Sequence, residues 1–310
     1  MKKICASMIL AFCLIFISSS VSGSSESAET GNTDINIVLA HGIFGLNKIG
    51  STNYFNGVEE HLKNSHNAKV LVANVSPVGG IRERGNQLRQ QIINAINNPN
   101  EYPFFNPKAP IHIIAHSMGG LDSRFILSLA NPDNIANLIT SLTTIGTPHK
   151  GSPLADLFFL GFNPLVNFLK LWFNVNEFLK SLSELGIKKD GIQDLTTVAM
   201  HKFNQEYEDN PNVSYFWIAG IGRDGSLNKT SHALSLTYAY IRIVTQEDND
   251  GAVALSSAKR GEAIGVPWFA DHLDQVGHDL DHPPHGIPED FNYLAKYDEI
   301  IARIRSIQSK

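Results

Sequence analysis

The chain has 310 residues, of which 43% are hydrophobic and 18% are charged. This length and composition indicate a large globular domain and exclude a disordered polypeptide. The formal net charge of −5 and the lack of a basic run argue against a nucleic-acid partner. Both cysteines, Cys5 and Cys13, lie near the N-terminus. The rest of the chain therefore has no thiol for nucleophilic catalysis or metal binding.

The N-terminal residues 1–23 are predicted to be a signal peptide. Lys2 and Lys3 precede an apolar run from about Met8 to Ile17, and small residues follow as far as Gly23. This is the pattern of an export signal, and the apolar run is too short to span a bilayer. We therefore expect an exported, extracellular or periplasmic protein whose single folded domain occupies residues 24–310.

Apolar runs alternate with helical patterns along the chain. The runs that predict strands are residues 35–40, 69–75, 111–115, 138–145, 215–219 and 238–244. Nearly continuous apolar runs are typical of strands buried on both faces of a parallel sheet. Helical spacing of apolar residues appears at 84–96 and again at 294–304. The alternation predicts an α/β fold with a mostly parallel central sheet flanked by helices.

A small polar loop follows the strand predicted at residues 111–115. Ser117 is its centre, with Ala115 two residues before and Gly119 two residues after. This is the pattern of a nucleophile elbow, a sharp strand-to-helix turn that exposes a serine and tolerates only very small neighbours. The alternative interpretation is an ordinary turn with a surface serine.

Residues 158–185 are crowded with large apolar side chains. One helical stripe contains Leu165, Phe168, Leu169 and Trp172, and further apolar residues lie off it. The segment fits either a buried core helix or a lid that covers a pocket and opens at a lipid surface.

A serine nucleophile needs a base and an acid, which in α/β-hydrolases follow it in the order acid, then histidine. The strand predicted at 238–244 is followed by Asp248 and Asp250, and His272 is the first histidine of the next loop. The order predicts Ser117, Asp250 and His272. Asp248 is an alternative acid, and the alternative bases are His278, His282 and His285.

The oxyanion of an acyl-transfer reaction needs two backbone donors. The amide of Met118 follows the nucleophile, and the loop His41-Gly42-Ile43-Phe44-Gly45 follows the first predicted strand. We predict Met118 and Ile43 as the two donors. His41 is then either an organiser of this loop or a surface histidine.

These motifs together resemble the secreted bacterial triacylglycerol lipases of lipase family I. The resemblance rests on Val38-Leu39-Ala40-His41-Gly42, Arg84-Gly85-x-Gln87-Leu88, Ala115-His116-Ser117-x-Gly119-Gly120, Pro148-His149-Lys150-Gly151-Ser152, Asn249-Asp250-Gly251 and His272-Leu273-Asp274-x-Val276. It implies an α/β-hydrolase fold with a helical lid insertion at about residues 153–200. It also implies Asp250 and His272 as the acid and the base, and hydrolysis of acylglycerol esters through an acyl-enzyme.

The resemblance further implies a structural calcium ion, with no cofactor needed for the chemistry. Asp274 is one ligand by this likeness. The second would be an aspartate upstream of the catalytic acid, and Asp224 comes nearest to that pattern although its spacing is off. The run from His278 to His285 lacks a defined ligand spacing, and we interpret it as a polar loop.

The partners implied are a lipid ester substrate and a lipid–water interface. The resemblance leaves open whether a secretion or folding chaperone is needed. An esterase or phospholipase on the same fold is the main alternative, and a non-catalytic lipid-binding protein is the alternative from another class.

Overall fold

The computed structural model describes residues 34–45, 48–49, 52–106, 108–159, 190–222, 230–281 and 291–308. All of them belong to the compact unit Asp34–Lys310. The predicted signal peptide lies outside these residues. Residues 160–189 of the lid predicted at about 153–200 also lie outside them, including the stripe at Leu165, Phe168, Leu169 and Trp172.

A six-stranded sheet forms the centre of this unit. In chain order its strands are β1 (Asn36–Ala40), β4 (Lys69–Val72), β5 (Ile111–His116), β6 (Ile139–Ile145), β7 (Ser214–Ile218) and β8 (Glu262–Ala263). Their spatial order is β4-β1-β5-β6-β7-β8, and every neighbouring pair is parallel. A separate antiparallel pair consists of β2 (Lys48–Ile49) and β3 (Thr52–Asn53). The predicted parallel sheet is confirmed.

Helices cover both faces of the sheet. The described helices are α1 (Val58–His66), α2 (Ile81–Asn97), α3 (Met118–Leu127), α4 (Pro153–Phe159), α5 (Asp190–Asp194), α6 (Thr197–Glu206), α7 (His232–Thr245), α8 (Leu255–Ala258) and α9 (Tyr293–Gln308). Short 3₁₀ turns cover Ala136–Leu138 and Asp274–Val276.

Successive side chains of β1 point alternately into two hydrophobic cores, one on each face of the sheet. Val38 and Ala40 pack with residues of α2, α3 and α6 on one face. Ile37 and Leu39 pack with residues of α1 and α9 on the other. Because successive strand side chains point to opposite faces, a strand covered on both sides is apolar throughout. This burial explains the continuous apolar runs in the sequence.

The prediction of a strand at residues 238–244 is wrong. This segment lies within helix α7, where Tyr238 and Ile241 are buried while Ile243 and Val244 are 63% and 52% exposed. The buried positions recur at helical spacing, and burial of that one stripe outweighs the β preference of the apolar run. The edge strand beside β7 is β8 instead. Asp250 therefore follows a helix, and not a strand as predicted.

Among the described residues, no helix combines the length and the apolar character needed to cross a membrane.

Candidate active site

Ser117 occupies the sharp turn between β5 and α3. Its backbone has φ 55° and ψ −130°, a conformation that residues other than glycine rarely adopt. The turn is held from both sides, because the Ser117 amide donates to the Ile145 carbonyl at 2.9 Å and Thr147 Oγ1 donates to the Ser117 carbonyl at 2.8 Å. Strain of this kind persists only where the surroundings enforce it, and it marks functional positions.

Close packing explains the small residues around Ser117. A Cβ at Gly119 would lie 2.3 Å from the Ala40 carbonyl oxygen, and one at Gly120 would lie 2.2 Å from Thr147 Oγ1. Ala115 is fully buried in the strand below. The turn thus has the geometry of the nucleophile elbow predicted from the motif.

His272 and Asp250 are joined by a hydrogen bond. Nδ1 of His272 donates to Oδ2 of Asp250 at 2.7 Å, and the His272 amide donates to the Asp250 carbonyl at 2.8 Å. Oδ1 of Asp250 accepts from the amides of Ala252 at 2.9 Å and Val253 at 2.7 Å. The carboxylate is therefore fixed on both oxygens. It holds the imidazole with Nδ1 protonated and Nε2 able to accept a proton.

The described alternatives to this pair have other partners. Asp248 forms an ion pair with Arg242. Nε2 of His278 contacts the carbonyls of Asn53 at 3.0 Å and Tyr54 at 2.9 Å. His282 and His285 lie outside the described residues.

Ser117 and His272 line the same cavity, which has a volume of about 440 Å³. Most of its walls are apolar, formed by Ile43, Phe44, Pro148, Leu154, Ala155, Ile192, Leu195, Leu234, Ala252, Val253 and Leu273. Among the described residues no hydrogen bond joins the Ser117 hydroxyl to the imidazole. In substrate-free hydrolases such contacts are often long and tighten when the substrate binds.

Of the predicted oxyanion donors, Ile43 lines this cavity and Met118 directly follows Ser117. The neighbouring amides of Gly42 and Phe44 are engaged, by Tyr54 Oη at 3.0 Å and by the Pro77 carbonyl at 2.6 Å. Within the described part of the chain, no acceptor meets the amides of Ile43 and Met118. The Met118 amide also belongs to the first turn of α3, where the helix dipole favours negative charge.

Comparison with known proteins identifies the family of the chain. Residues 79–221 match the model of the PGAP1-like alpha/beta domain. A triacylglycerol lipase from Pseudomonas fragi is 29% identical over 81% of this chain and 90% of its own length. A triacylglycerol lipase from Vibrio cholerae is 30% identical over 87% of this chain and 89% of its own length. The chain belongs to the triacylglycerol lipase family.

The fold of the lipase agrees with solved structures. Staphylococcus hyicus lipase superposes with a TM-score of 0.63 at 20% identity, covering 90% of this chain and 97% of that one. The superposition shows an α/β-hydrolase fold. Membership of the triacylglycerol lipase family makes the protein an ester hydrolase. The comparisons do not separate lipase family I from other bacterial lipases, so membership of family I stays a prediction.

His41 organises the loop at residues 41–45, which carries the predicted donor Ile43, as one of its two interpretations predicted. It is buried, its Nδ1 donates to the Gly42 carbonyl at 2.9 Å, and its Nε2 accepts from the Val75 amide at 3.3 Å. Burial, and then the charge of Arg84, lower the pKa of His41 to about 4. The ring is therefore neutral at pH 7, and this one tautomer suits both contacts.

Arg84 connects the loop at residues 41–45 with helix α3. Its buried guanidinium donates to Asp122 Oδ2 at 2.8 Å through Nε, to the His41 carbonyl at 2.7 Å and to the Ser76 carbonyl at 2.6 Å. Next to it, a Cβ at Gly85 would lie 2.7 Å from the Phe125 ring. The Arg84-Gly85 motif thus supplies both a linking cation and a close contact between α2 and α3.

Gln275 and Tyr54 are polar residues of the site that the sequence did not reveal. Gln275 Nε2 donates to Asp250 Oδ2 at 2.9 Å.

The Tyr54 hydroxyl accepts a hydrogen bond from the Gly42 amide and donates one to His116 Nδ1, which lies 2.7 Å away. The His116 ring lies 4.5 Å from that of His272. Burial, and then the nearby His272, hold the pKa of His116 well below its usual value, which keeps a second positive charge away from His272.

Asp274 lies buried directly after His272 and Leu273. Its Oδ2 accepts the Asp271 amide at 3.0 Å. Among the described residues, the one cluster of three metal-binding side chains lies elsewhere. Asp224 lies outside the described residues. A buried carboxylate is a donor type that calcium accepts, and further oxygen ligands would have to join it.

A larger polar cleft of about 550 Å³ lies between α2, α5 and α6. Arg82, Glu83, Asp190 and Lys202 are among its charged walls, and it includes neither Ser117 nor His272. Charged walls do not suit an acyl chain, so the apolar cavity beside Ser117 is the candidate substrate site.

Proposed function

We propose that this lipase hydrolyses the ester bonds of long-chain acylglycerols with Ser117 as nucleophile, His272 as base and Asp250 as the orienting acid. One observation carries the proposal. A strained serine and an imidazole bonded to a buried carboxylate open onto one apolar cavity.

The reaction follows from these roles. His272 Nε2 takes the Ser117 proton as Oγ bonds to the ester carbonyl carbon, and the carbonyl π electrons move to the oxygen. The amides of Ile43 and Met118 donate to that oxyanion. As the tetrahedral intermediate collapses, the bond to the alcohol breaks and His272 protonates the leaving oxygen. Water activated by His272 then hydrolyses the acyl-enzyme, which releases the fatty acid and restores Ser117.

The apolar walls of the cavity support an acyl chain as the group bound there. Leu154, Leu195 and Leu234 are examples from three separate segments of the chain. Burial of apolar surface contributes about 25 cal/mol per Å². Each methylene of a chain that fits should therefore strengthen transition-state binding until the cavity is full.

A series of esters with increasing acyl length tests the substrate class. We expect kcat/KM to rise with chain length and to be higher on an emulsion than on the same ester below its aggregation limit. A maximum at short soluble esters would assign the protein as an esterase. Preferential release of fatty acid from phospholipid would assign it as a phospholipase.

The lid is proposed from the sequence of residues 158–185. Polar substitution of Leu165, Phe168, Leu169 and Trp172 should reduce the rate on emulsified ester more than the rate on a short soluble ester. Equal losses on both substrates would assign the stripe to the core.

A structural calcium ion at Asp274 is proposed from the family resemblance, and the buried carboxylate supports it. A ligand bound only by the folded state raises stability. Removal of calcium by a chelator should therefore lower the melting temperature, and calcium should restore it, except in Asp274→Asn. A melting temperature that is insensitive to calcium would contradict this site.

Export is proposed from the signal-like pattern of residues 1–23. Expression of the full chain in a bacterium, followed by N-terminal sequencing of the exported protein, should find cleavage after Ser22 or Gly23. An uncleaved protein retained in the cytoplasm would contradict export.

A further inference from the structure

Three potential metal ligands converge where the end of α1 meets α9. Nε2 of His61 and Nε2 of His66 both lie 2.6 Å from Oδ1 of Asp298. The ligand atoms of the three side chains lie within 4.8 Å of one another. All three side chains are partly exposed, so an ion can reach them from solvent.

Two imidazoles and one carboxylate are a donor set that suits zinc. Zinc takes nitrogen and oxygen ligands at about 2.0–2.2 Å, usually in a tetrahedron. Ligand atoms around such an ion are roughly 3.3 Å apart. The two contacts of 2.6 Å would therefore open by less than about 1 Å, which rotamer adjustments can supply. We propose that His61, His66 and Asp298 bind a zinc ion, with water completing the coordination.

The helices that carry these ligands are fixed relative to each other. Leu62 of α1 and Ile301 of α9 are both buried in the same core. Because the backbones are held by this packing, bringing the three side chains together costs only their rotamer entropy. A preorganised ligand set binds more tightly than one that must be assembled.

The end of α1 carries both favourable and opposing charge. His66 is its last residue, where the helix dipole places partial negative charge, and the Arg305 guanidinium donates to the His66 carbonyl at 2.8 Å and partly offsets it. Ser65 Oγ lies 3.4 Å from His61 Nδ1, on the opposite side of the ring from Nε2. A bond there would hold the tautomer whose Nε2 is free to bind a metal, as partners of ligating histidines commonly do.

The competing explanation is a metal-free hydrogen-bonded cluster that links the two helices. In that state both imidazoles must carry hydrogen on Nε2 and share one carboxylate oxygen. A zinc ion would take the place of the two N–H hydrogens that compete for this oxygen. The two explanations differ in whether zinc binds and in whether binding needs all three side chains.

The experiment is a titration of tag-free, chelator-treated lipase with zinc chloride in calcium-containing buffer. Calorimetry should report one site, and the melting temperature should rise as zinc is added. His66→Ala and Asp298→Asn should each weaken zinc binding at least about tenfold. His232→Ala is the matched control, because the side chain of His232 is 95% exposed, and it should bind zinc like the wild type.

Cobalt(II) provides a second measurement on the wild type alone, in case a variant does not fold. We expect bound cobalt to give the intense visible absorption of a tetrahedral site and to saturate at one equivalent. Added zinc should displace the cobalt and remove this absorption. Absence of zinc binding, octahedral cobalt only, or equal zinc affinity in wild type and Asp298→Asn would overturn the proposal. Esterase activity is not part of this test, so the zinc site and the proposed triad can fail independently.

Discussion

The side-chain amide of Gln275 donates to Oδ2 of Asp250 at 2.9 Å, and the same oxygen accepts the imidazole of His272 at 2.7 Å. Two glycines make room for this amide. A Cβ at Gly146 would lie 2.5 Å from Gln275 Oε1, and a Cβ at Gly220 would lie 2.2 Å from its Nε2. The amide of Gln275 thus holds Oδ2 of the carboxylate, while its two backbone donors hold Oδ1.

We expect Gln275→Leu to lower kcat about tenfold with a smaller change in KM. Loss of a hydrogen bond to a buried charge costs about 1–3 kcal/mol, and 1.4 kcal/mol of barrier is tenfold in rate. Steady-state kinetics on a soluble ester measures the effect. Gln90→Leu, on the exposed surface of α2, is the control. An unchanged kcat in Gln275→Leu would mean that the amide only fills space.

The triad prediction follows from the proposed roles. Ser117→Ala, His272→Ala and Asp250→Asn should each reduce kcat by about 10³–10⁴-fold or more, because the three side chains act as one unit. Asp248→Asn is the matched control, since Asp248 pairs with Arg242 and should tolerate the change. Near-normal activity of Asp250→Asn beside an inactive Asp248→Asn would reverse the assignment of the acid.

The buried strands of the sheet could be predicted from sequence because burial on both faces leaves a continuous apolar run. The same reasoning failed at residues 238–244. Tyr238 and Ile241 are buried there on one side of helix α7, whereas Ile243 and Val244 face solvent. Local apolar content cannot separate a buried strand from a helix whose exposed face is also apolar.

The candidate site was predictable where its residues form local motifs. Ser117 lies in such a motif, and Asp250 and His272 follow it in the expected order. Gln275 and Tyr54 act through contacts with distant residues, namely Asp250 and His116. Neither contact leaves a spacing in the sequence, so only the folded chain reveals it.

Arg84 should contribute strongly to stability through its buried ion pair with Asp122. Burial raises the pKa of Asp122 to about 6 in spite of the opposing charge of Arg84. Arg84→Met would leave this carboxyl buried without its cation, and removal of one partner of a buried pair costs about 3–5 kcal/mol. Urea unfolding of the variant measures the change.

Arg82→Met is the matched control for Arg84→Met, because Arg82 pairs with Glu206 on the surface. Such exposed pairs contribute about 0–1 kcal/mol. Similar losses of unfolding free energy in the two variants would contradict a special role for Arg84. Recovery of stability in the double variant Arg84→Met/Asp122→Leu would assign the loss to the unpaired carboxyl.

Stability should fall with pH below about 6.5 because buried histidines must remain neutral. His112 is fully buried, and its Nδ1 lies 2.8 Å from Ser141 Oγ. Burial lowers its pKa from 6.5 to about 4. Above pH 6.5 the ring is neutral in both the folded and the unfolded chain. Between pH 6.5 and 4 the unfolded chain binds a proton that the folded chain does not, so stability is lost as pH falls.

The expected loss from His112 is about 2 kcal/mol at pH 5, and urea unfolding of wild type and His112→Gln at about pH 7.5 and 5 measures it. The variant should show a shallower dependence on pH, although His41, His116 and His149 contribute in the same direction. His201→Gln, on the exposed surface of α6, should keep the wild-type dependence. A wild-type dependence in His112→Gln would mean that the ring is protonated at pH 5 without loss of the fold.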